Sequence, residues 1–444
     1  MHGLADRWFH LAARGTTVGR ELRGALTTFL TMGYILVANP GILSAAGVPF
    51  DSAVAATALA AALCSLLMGV VANVPLALAP GMGLNAVVAY QLAATTGSWQ
   101  AAMGLVVIEG ALVLLLVLAG LREGVMGAIP VDVRRAIGVG IGLFVAFIGA
   151  ANARLVVVPE GTLAGLSERP SSILPPVGAG GLAHPDASLA LGGLLVTGWL
   201  LARRTSGAVL IGILITTAAA MLAGHATLPS GAWLQAPRLE TVGAADLAWA
   251  WRWSALPLLL SLMMVDFFDT LGTATAIAEE AGLQDDRGRI PGLRRLLGVD
   301  ALSASIGGWL GASSVTAYIE SAAGVADGAR TGLHSVGVAV LFLGAAFLAP
   351  LVAVVPPAAT APALIVVGFL MTSAITRIDF TSPDTALPAF VTILFVPLTW
   401  SIAHGIGYGL IAYVAMAALR GKGRTVHPLL YIVAAAFAAY FLRG

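Results

Sequence analysis

Fourteen apolar stretches dominate the chain, near 24–43, 52–72, 76–93, 101–120, 134–151, 188–202, 206–224, 255–276, 295–311, 314–326, 332–354, 360–376, 386–402 and 404–419. A helix needs roughly 20 mostly apolar residues to cross a bilayer. A chain patterned this way folds into a membrane, not around a water-soluble core. Only 10% of its residues are charged, against about 25% in soluble domains. That excludes a nucleic-acid-binding protein, a disordered chain and an ordinary soluble enzyme. The single cysteine, Cys64, permits no intrachain disulfide, and seven scattered histidines add no zinc cluster to it. Phosphate-loop and hydrolase motifs are missing, so neither enzyme chemistry nor a cofactor is expected.

Basic residues orient the spans. With the N-terminus cytoplasmic, 19 of the 23 Lys and Arg fall inside, and only Arg154, Arg169, Arg238 and Arg252 fall outside. Cytoplasmic loops carry this excess. The count places Arg443 inside, treating the apolar stretch 428–442 as interfacial although it could also cross. Residues 1–20 lack the apolar core of a cleavable signal and suggest a short interfacial helix over 3–13. Arg in place of Lys, with much Ala and Gly, hints at a GC-rich bacterium, hence a multi-pass inner-membrane protein. Trp233, Trp249, Trp251 and Trp253 in the external loop 225–253 suit a headgroup-level belt.

Seven spans precede that loop and seven follow it. An odd number inverts the second half relative to the first, and inverted repeats with interrupted helices at the midplane mark transporters. Spans 3 and 10 correspond and are both broken. Val74–Asn85 contains Pro80-Gly81, a strong breaker, and Gly311–Gly324 contains the strand-like Val315-Thr316-Ala317-Tyr318. Each predicts a short extended segment followed by a half-helix whose free N–H groups form a polar pocket near the membrane centre. Two kinked packing helices are the plainer alternative.

Five carboxylates lie inside spans: Glu109, Asp266, Asp269, Asp300 and Glu320. Ionisable groups there are expensive and functional by default. Asp266 and Asp269, three apart, share a helix face, an arrangement suited to proton coupling. Glu320 stands where span 10 turns helical and could bond a ligand's amide edge or simply cap the helix. Asn85 holds the equivalent place in span 3. Asp300 is a cap or a link in a proton path, and Glu109 a structural bond to a neighbour. His225, His334 and His404 are expected at interfaces.

At Ala79-Pro80-Gly81-Met82-Gly83-Leu84-Asn85-Ala86, Asp266-Phe267-Phe268-Asp269-Thr270-Leu271-Gly272-Thr273 and Tyr318-Ile319-Glu320-Ser321-Ala322-Ala323-Gly324-Val325 the chain resembles the nucleobase–cation symporter 2 family, in its AzgA-like branch of adenine, guanine and hypoxanthine permeases. Leu26–Met32, Thr360–Ile365 and Leu387–Phe390 extend the match. The resemblance implies an all-α fold of 14 spans in two inverted seven-span repeats. After a cytoplasmic segment 1–20, a core would take 21–121 and 254–354 and a gate 122–224 and 355–420, with the loop 225–253 between halves and a C-terminal segment 421–444. It implies substrate contacts at Asn85, Asp266 and Glu320, with Gly83, Tyr318 and Ser321 of the same motifs. Asp266, Asp269, Glu320 and Asp300 would couple protons.

The implied activity is purine uptake by proton symport, with Na⁺ and a homodimer both left open and no metal or nucleic acid involved. Ala312 and Ala317 stand where the branch usually carries Thr, and Ala274 where a larger apolar residue is common, which leaves the preferred purine undetermined. The rival readings are an anion or other small-solute carrier of the same fold, or a channel without coupling.

Overall fold

The computed structural model describes residues 3–120, 129–159, 161–162, 177–229, 231–283, 290 and 292–442, with side chains omitted at 3–5, 268, 269, 271, 272 and 275. It is predominantly helical. Seven helical segments in the described residues are long and apolar enough to cross a bilayer, and five apolar helices of 10–17 residues accompany them.

The helices sort into two packed groups, each drawing on both halves of the chain. In the first, α2 (Val18–Met32), α3 (Ile35–Ser44), α4 (Phe50–Leu67) and α7 (Trp99–Leu118) pack with α11 (Ala255–Glu280), α12 (Leu293–Leu310) and α14 (Gly332–Ala345). In the second, α8 (Val131–Asn152), α9 (Pro185–Ala202) and α10 (Ala208–Leu222) pack with α16 (Pro357–Thr372), α17 (Pro383–Leu398) and α18 (Ile402–Leu419). Small residues set the spacing in the second group. A Cβ on Gly368 would lie 2.3 Å from the Gly142 carbonyl oxygen, so α8 and α16 touch through backbone. Not every glycine of the Gly138–Gly142 run does this work, since Gly138 faces open space.

Both broken spans adopt extended segments followed by helices. Strand β1 (Leu78–Pro80) pairs antiparallel with β4 (Val315–Ala317), with Ala79 opposite Thr316. The half-helices α5 (Met82–Ala86) and α13 (Ser321–Ala326) then lead away, α5 continuing through a π-helical stretch Val87–Leu92. The register explains Pro80. Gly81 N–H donates to Ser314 O at 2.9 Å and Tyr318 N–H to Ala77 O at 3.0 Å. Leu78 and Pro80 therefore turn their backbone groups away from the partner strand, and a missing N–H at Pro80 costs no strand bond.

Backbone buried at this depth needs partners, and serines supply them. Ser65 Oγ accepts from Leu78 N–H at 2.9 Å and donates to Leu78 O at 3.0 Å. Ser321 Oγ accepts from Ala77 N–H at 2.9 Å, and Ser335 Oγ accepts from Leu76 N–H at 3.0 Å. On the other strand's approach, Asn39 Nδ2 donates to Ala312 O at 3.0 Å.

His334 lies at the start of α14, at a span end, and is fully buried there, with Nε2 2.8 Å from Thr28 Oγ1. Two expectations are corrected. Trp249 is buried, while Trp233, Trp251 and Trp253 are exposed. Last, α19 (Pro428–Phe441) does not lie across the end of the bundle. It runs back along α18, from a Tyr431 Oη–Gly423 O bond of 2.9 Å to a Phe441 ring stacked 5.0 Å from His404. Its end therefore lies opposite Arg420, so grouping the terminus with the cytoplasmic arginines does not match the geometry; Arg443 itself lies outside the described residues.

Candidate functional site

The crossing of the broken spans bounds a cavity of about 150 Å³. One wall comes from the first helix group: Tyr34, Gly81, Met82, Gly83, Thr273, Ala317, Tyr318, Ile319 and Glu320. The other is Val367, Leu370 and Met371 of α16 in the second group. The cavity thus lies between the groups. At its mouth Ile319 and Leu370 are 49% and 44% exposed.

Glu320 is the residue before α13, yet its side chain makes no cap bond. The first N–H groups of that half-helix close onto nearby carbonyls instead: Ser321 to Tyr318, Ala322 to Ile319 and Ala323 to Glu320. This removes the simple-cap alternative for Glu320. It also corrects the expectation of two open helix ends, because α13 consumes its own donors. The α5 end differs. Gly81 is extended and makes no side-chain cap, so Met82 and Gly83 bring to the cavity the N–H groups that a helix start leaves over.

Glu320 Oε1 accepts a hydrogen bond from Tyr34 Oη at 2.8 Å. Tyr34 was not singled out from sequence; a lone Tyr in an apolar span carries no signal of its own. Gly83 has a packing role as well as a cavity position, since a Cβ there would lie 2.5 Å from Ile141 Cγ2 on α8.

Of the other expected residues, Tyr318 is part of the cavity wall, while Asn85, Ser321 and Asp266 lie behind it. Asn85 is fully buried; its Nδ2 donates to Pro80 O at 3.3 Å, and its Oδ1 has no hydrogen-bond partner among the described residues. Tyr318 Oη donates to the same carbonyl at 2.6 Å. Ser321 is committed to Ala77 N–H. Asp266 is fully buried on α11, the helix that packs against α5, β4 and α13. The side chain of Asp269 lies outside the described residues.

Asp300 joins the crossing through hydroxyls. Thr270 Oγ1 lies 2.8 Å from both Asp300 oxygens and 2.9 Å from Thr316 Oγ1 on β4. Asp266, Thr270 and Thr273 share one face of α11 at four- and seven-residue spacing. Glu109 is buried on α7 and lines no part of the cavity. Sequence reasoning also missed Glu21. It is fully buried and accepts from the N–H groups of Arg330, Thr331 and His334 at the start of α14, a capping role outside the spans counted above.

One end of the space between groups is shut by aromatics. Trp400, in a left-handed backbone conformation between α17 and α18, meets Tyr90, Phe144 and Phe147 edge-on at centroid distances of 5.8, 5.3 and 5.2 Å. Tyr90 lies two turns beyond Gly83, and Phe144 one turn beyond Ile141.

Comparison with known proteins gives concordant matches. The model of a permease family matches residues 19–407. A putative permease of Methanocaldococcus jannaschii is 40% identical, covering 98% of both chains. The adenine permease AdeQ of Escherichia coli K12 is 39% identical over 98% of this chain and 96% of its own. The guanine/hypoxanthine permease PbuO of Bacillus subtilis 168 is 38% identical over 97% of this chain and 98% of its own. Among solved structures, the transmembrane domain of the cyanobacterial bicarbonate transporter BicA superposes with a TM-score of 0.63 at 19% identity, covering 87% of this chain and 97% of that one. At that identity the likeness speaks for the fold alone.

Proposed function

Because the chain belongs to the nucleobase–cation symporter 2 family, a family of membrane permeases and not of enzymes, we propose that it carries purine nucleobases across the membrane together with protons. The observation that carries this reading is the cavity itself. It joins one carboxyl group, Glu320, to apolar walls from both helix groups, beneath the uncapped start of α5. A purine is a flat ring with an amide-like edge. Met82, Val367, Leu370 and Met371 suit its faces. Glu320 accepts from a ring N–H, and the Met82 and Gly83 N–H groups meet a ring carbonyl.

Protons enter through the carboxylates. A charge held in a span is costly to move, so a Glu320 that is neutral when loaded lowers the barrier to reorientation. Asp266 stands behind it on α11, the helix whose sequence also carries Asp269, and Asp300 is linked to β4 through Thr270 and Thr316. We assign the first helix group as a core and the second as a gate that moves against it. The Tyr90–Phe144–Phe147–Trp400 cluster closes the external end, which makes this conformation cytoplasm-facing. In this topology the N-terminus is cytoplasmic, with α19 returning to the external face.

The structural neighbour carries an anion, but among the described residues no Lys or Arg lines this cavity to pair with one. The test is uptake of radiolabelled hypoxanthine, guanine, adenine and uracil by cells expressing the chain, at acidic and alkaline pH, with and without a protonophore. Saturable purine uptake lost with the protonophore is expected. Purine uptake unchanged by it contradicts the coupling, and none at all removes the cargo.

A further inference from the structure

Glu320 has no capping bond to hold its carboxyl group in place. A glutamate side chain rotates about three bonds, so an unheld carboxyl would meet a ligand in many orientations. Besides the residue's own backbone N–H, what reaches it is Tyr34, whose Oη lies 2.8 Å from Oε1 across 286 residues of sequence. Tyr34 is only 2% exposed and sits in the buried passage between α2 and α3, so its ring is fixed by packing. Both residues line the same cavity.

We propose that Tyr34 is a positioning residue for ligand recognition: its hydroxyl fixes Glu320 Oε1 so that the other carboxylate oxygen meets the N–H donor of the purine. The assignment rests on the purine reading above. A phenol can donate to a carboxylate and accept from a carboxylic acid, so this contact survives both protonation states of its partner. A lysine or asparagine amide nitrogen in its place could only donate. The same hydroxyl therefore orients Glu320 before and after a proton arrives, which a proton-coupled carrier requires of its binding group.

The test uses the full chain in proteoliposomes. Tyr34→Phe removes one oxygen and keeps the ring. The KM for hypoxanthine should rise up to about 10-fold, as expected for one lost hydrogen bond, with the maximal rate within about 2-fold. Combined with Glu320→Gln, it should add much less to the loss of hypoxanthine binding than it costs alone, because the hydroxyl acts on the ligand through that carboxyl. A KM equal to that of the unsubstituted protein, or fully additive losses, overturns the assignment. A second measurement needs no change at Tyr34. Hypoxanthine should shift the infrared C–O stretch of ring-deuterated tyrosine, and Glu320→Gln should abolish the shift; a shift that persists in the variant overturns the assignment. If the unsubstituted protein carries no purine, the cargo assignment fails instead. An acid titration of the same tyrosine band, with and without Glu320→Gln, then decides the Tyr34–Glu320 coupling by itself.

Discussion

Ser65→Ala probes how the extended crossing survives inside the membrane. Ser65 Oγ serves both the N–H and the C=O of Leu78, the residue whose backbone faces away from β4. Leu78 is fully buried, as is Ser65. Removing the hydroxyl strands two backbone groups at about 1–3 kcal/mol each, giving a loss of about 2–6 kcal/mol. A water in the vacated space would bring the loss toward the lower end. Ser335→Ala should cost less, because Leu76 N–H and Val74 O keep each other at 2.9 Å and the loss falls on Leu76 O, which Ser335 Oγ meets at 3.0 Å. Ser321→Ala strands only Ala77 N–H and should also cost less. The assay is the thermal melting of each variant purified in one detergent, beside its purine transport rate. The order of destabilisation should put Ser65→Ala first. A Ser65→Ala protein that melts with the unsubstituted chain would refute the claim that hydroxyls hold β1 in place.

Other expectations follow from packing and direction. Gly368→Ala should lower the yield of folded protein sharply, since its Cβ would meet the Gly142 carbonyl at 2.3 Å, whereas Gly138→Ala, facing open space, should be neutral or stabilising by up to about 1 kcal/mol. Expression and melting temperature compare the pair, and equal behaviour would contradict the backbone contact. Trp400→Ala should open the aromatic closure, so that an impermeant maleimide labels Ile141→Cys from outside faster than with Trp400 present; unchanged labelling would contradict a seal. Leu442→Cys should be labelled from the face opposite that of a cysteine at Arg420, and labelling from the same face would contradict the return path of α19.

Much of this arrangement was legible in the sequence because it is carried by residues with strong local preferences. Pro80-Gly81 breaks a helix wherever it stands, and Val315-Thr316-Ala317 favours extended backbone, so both interruptions could be located without coordinates. The partners of those interruptions could not. Ser65, Ser335 and Asn39 are single polar residues in apolar helices, and nothing local tells which backbone group each will meet. Tyr34 is hidden for the same reason, its partner being far along the chain. Carboxylates were easier to find than to sort. Glu320 reaches the cavity, while Asp266 and Asp300 stay behind its wall, a difference of helix rotation that spacing alone does not resolve. Glu21 escaped notice because it precedes the apolar run of its span, although the fold buries it as a cap. The path of α19 depends on aromatic contacts with α18, and a short apolar segment reads alike whether it crosses or lies flat.

The central claim is that a purine and a proton cross together through the Glu320 cavity. The most direct measurement is proton movement into liposomes that hold the purified protein and a trapped pH dye, on addition of hypoxanthine outside with no imposed ion gradient. The account predicts acidification of the interior that begins with hypoxanthine, saturates with its concentration and is absent in Glu320→Gln. Hypoxanthine entering without acidification, or acidification that Glu320→Gln leaves intact, would contradict it.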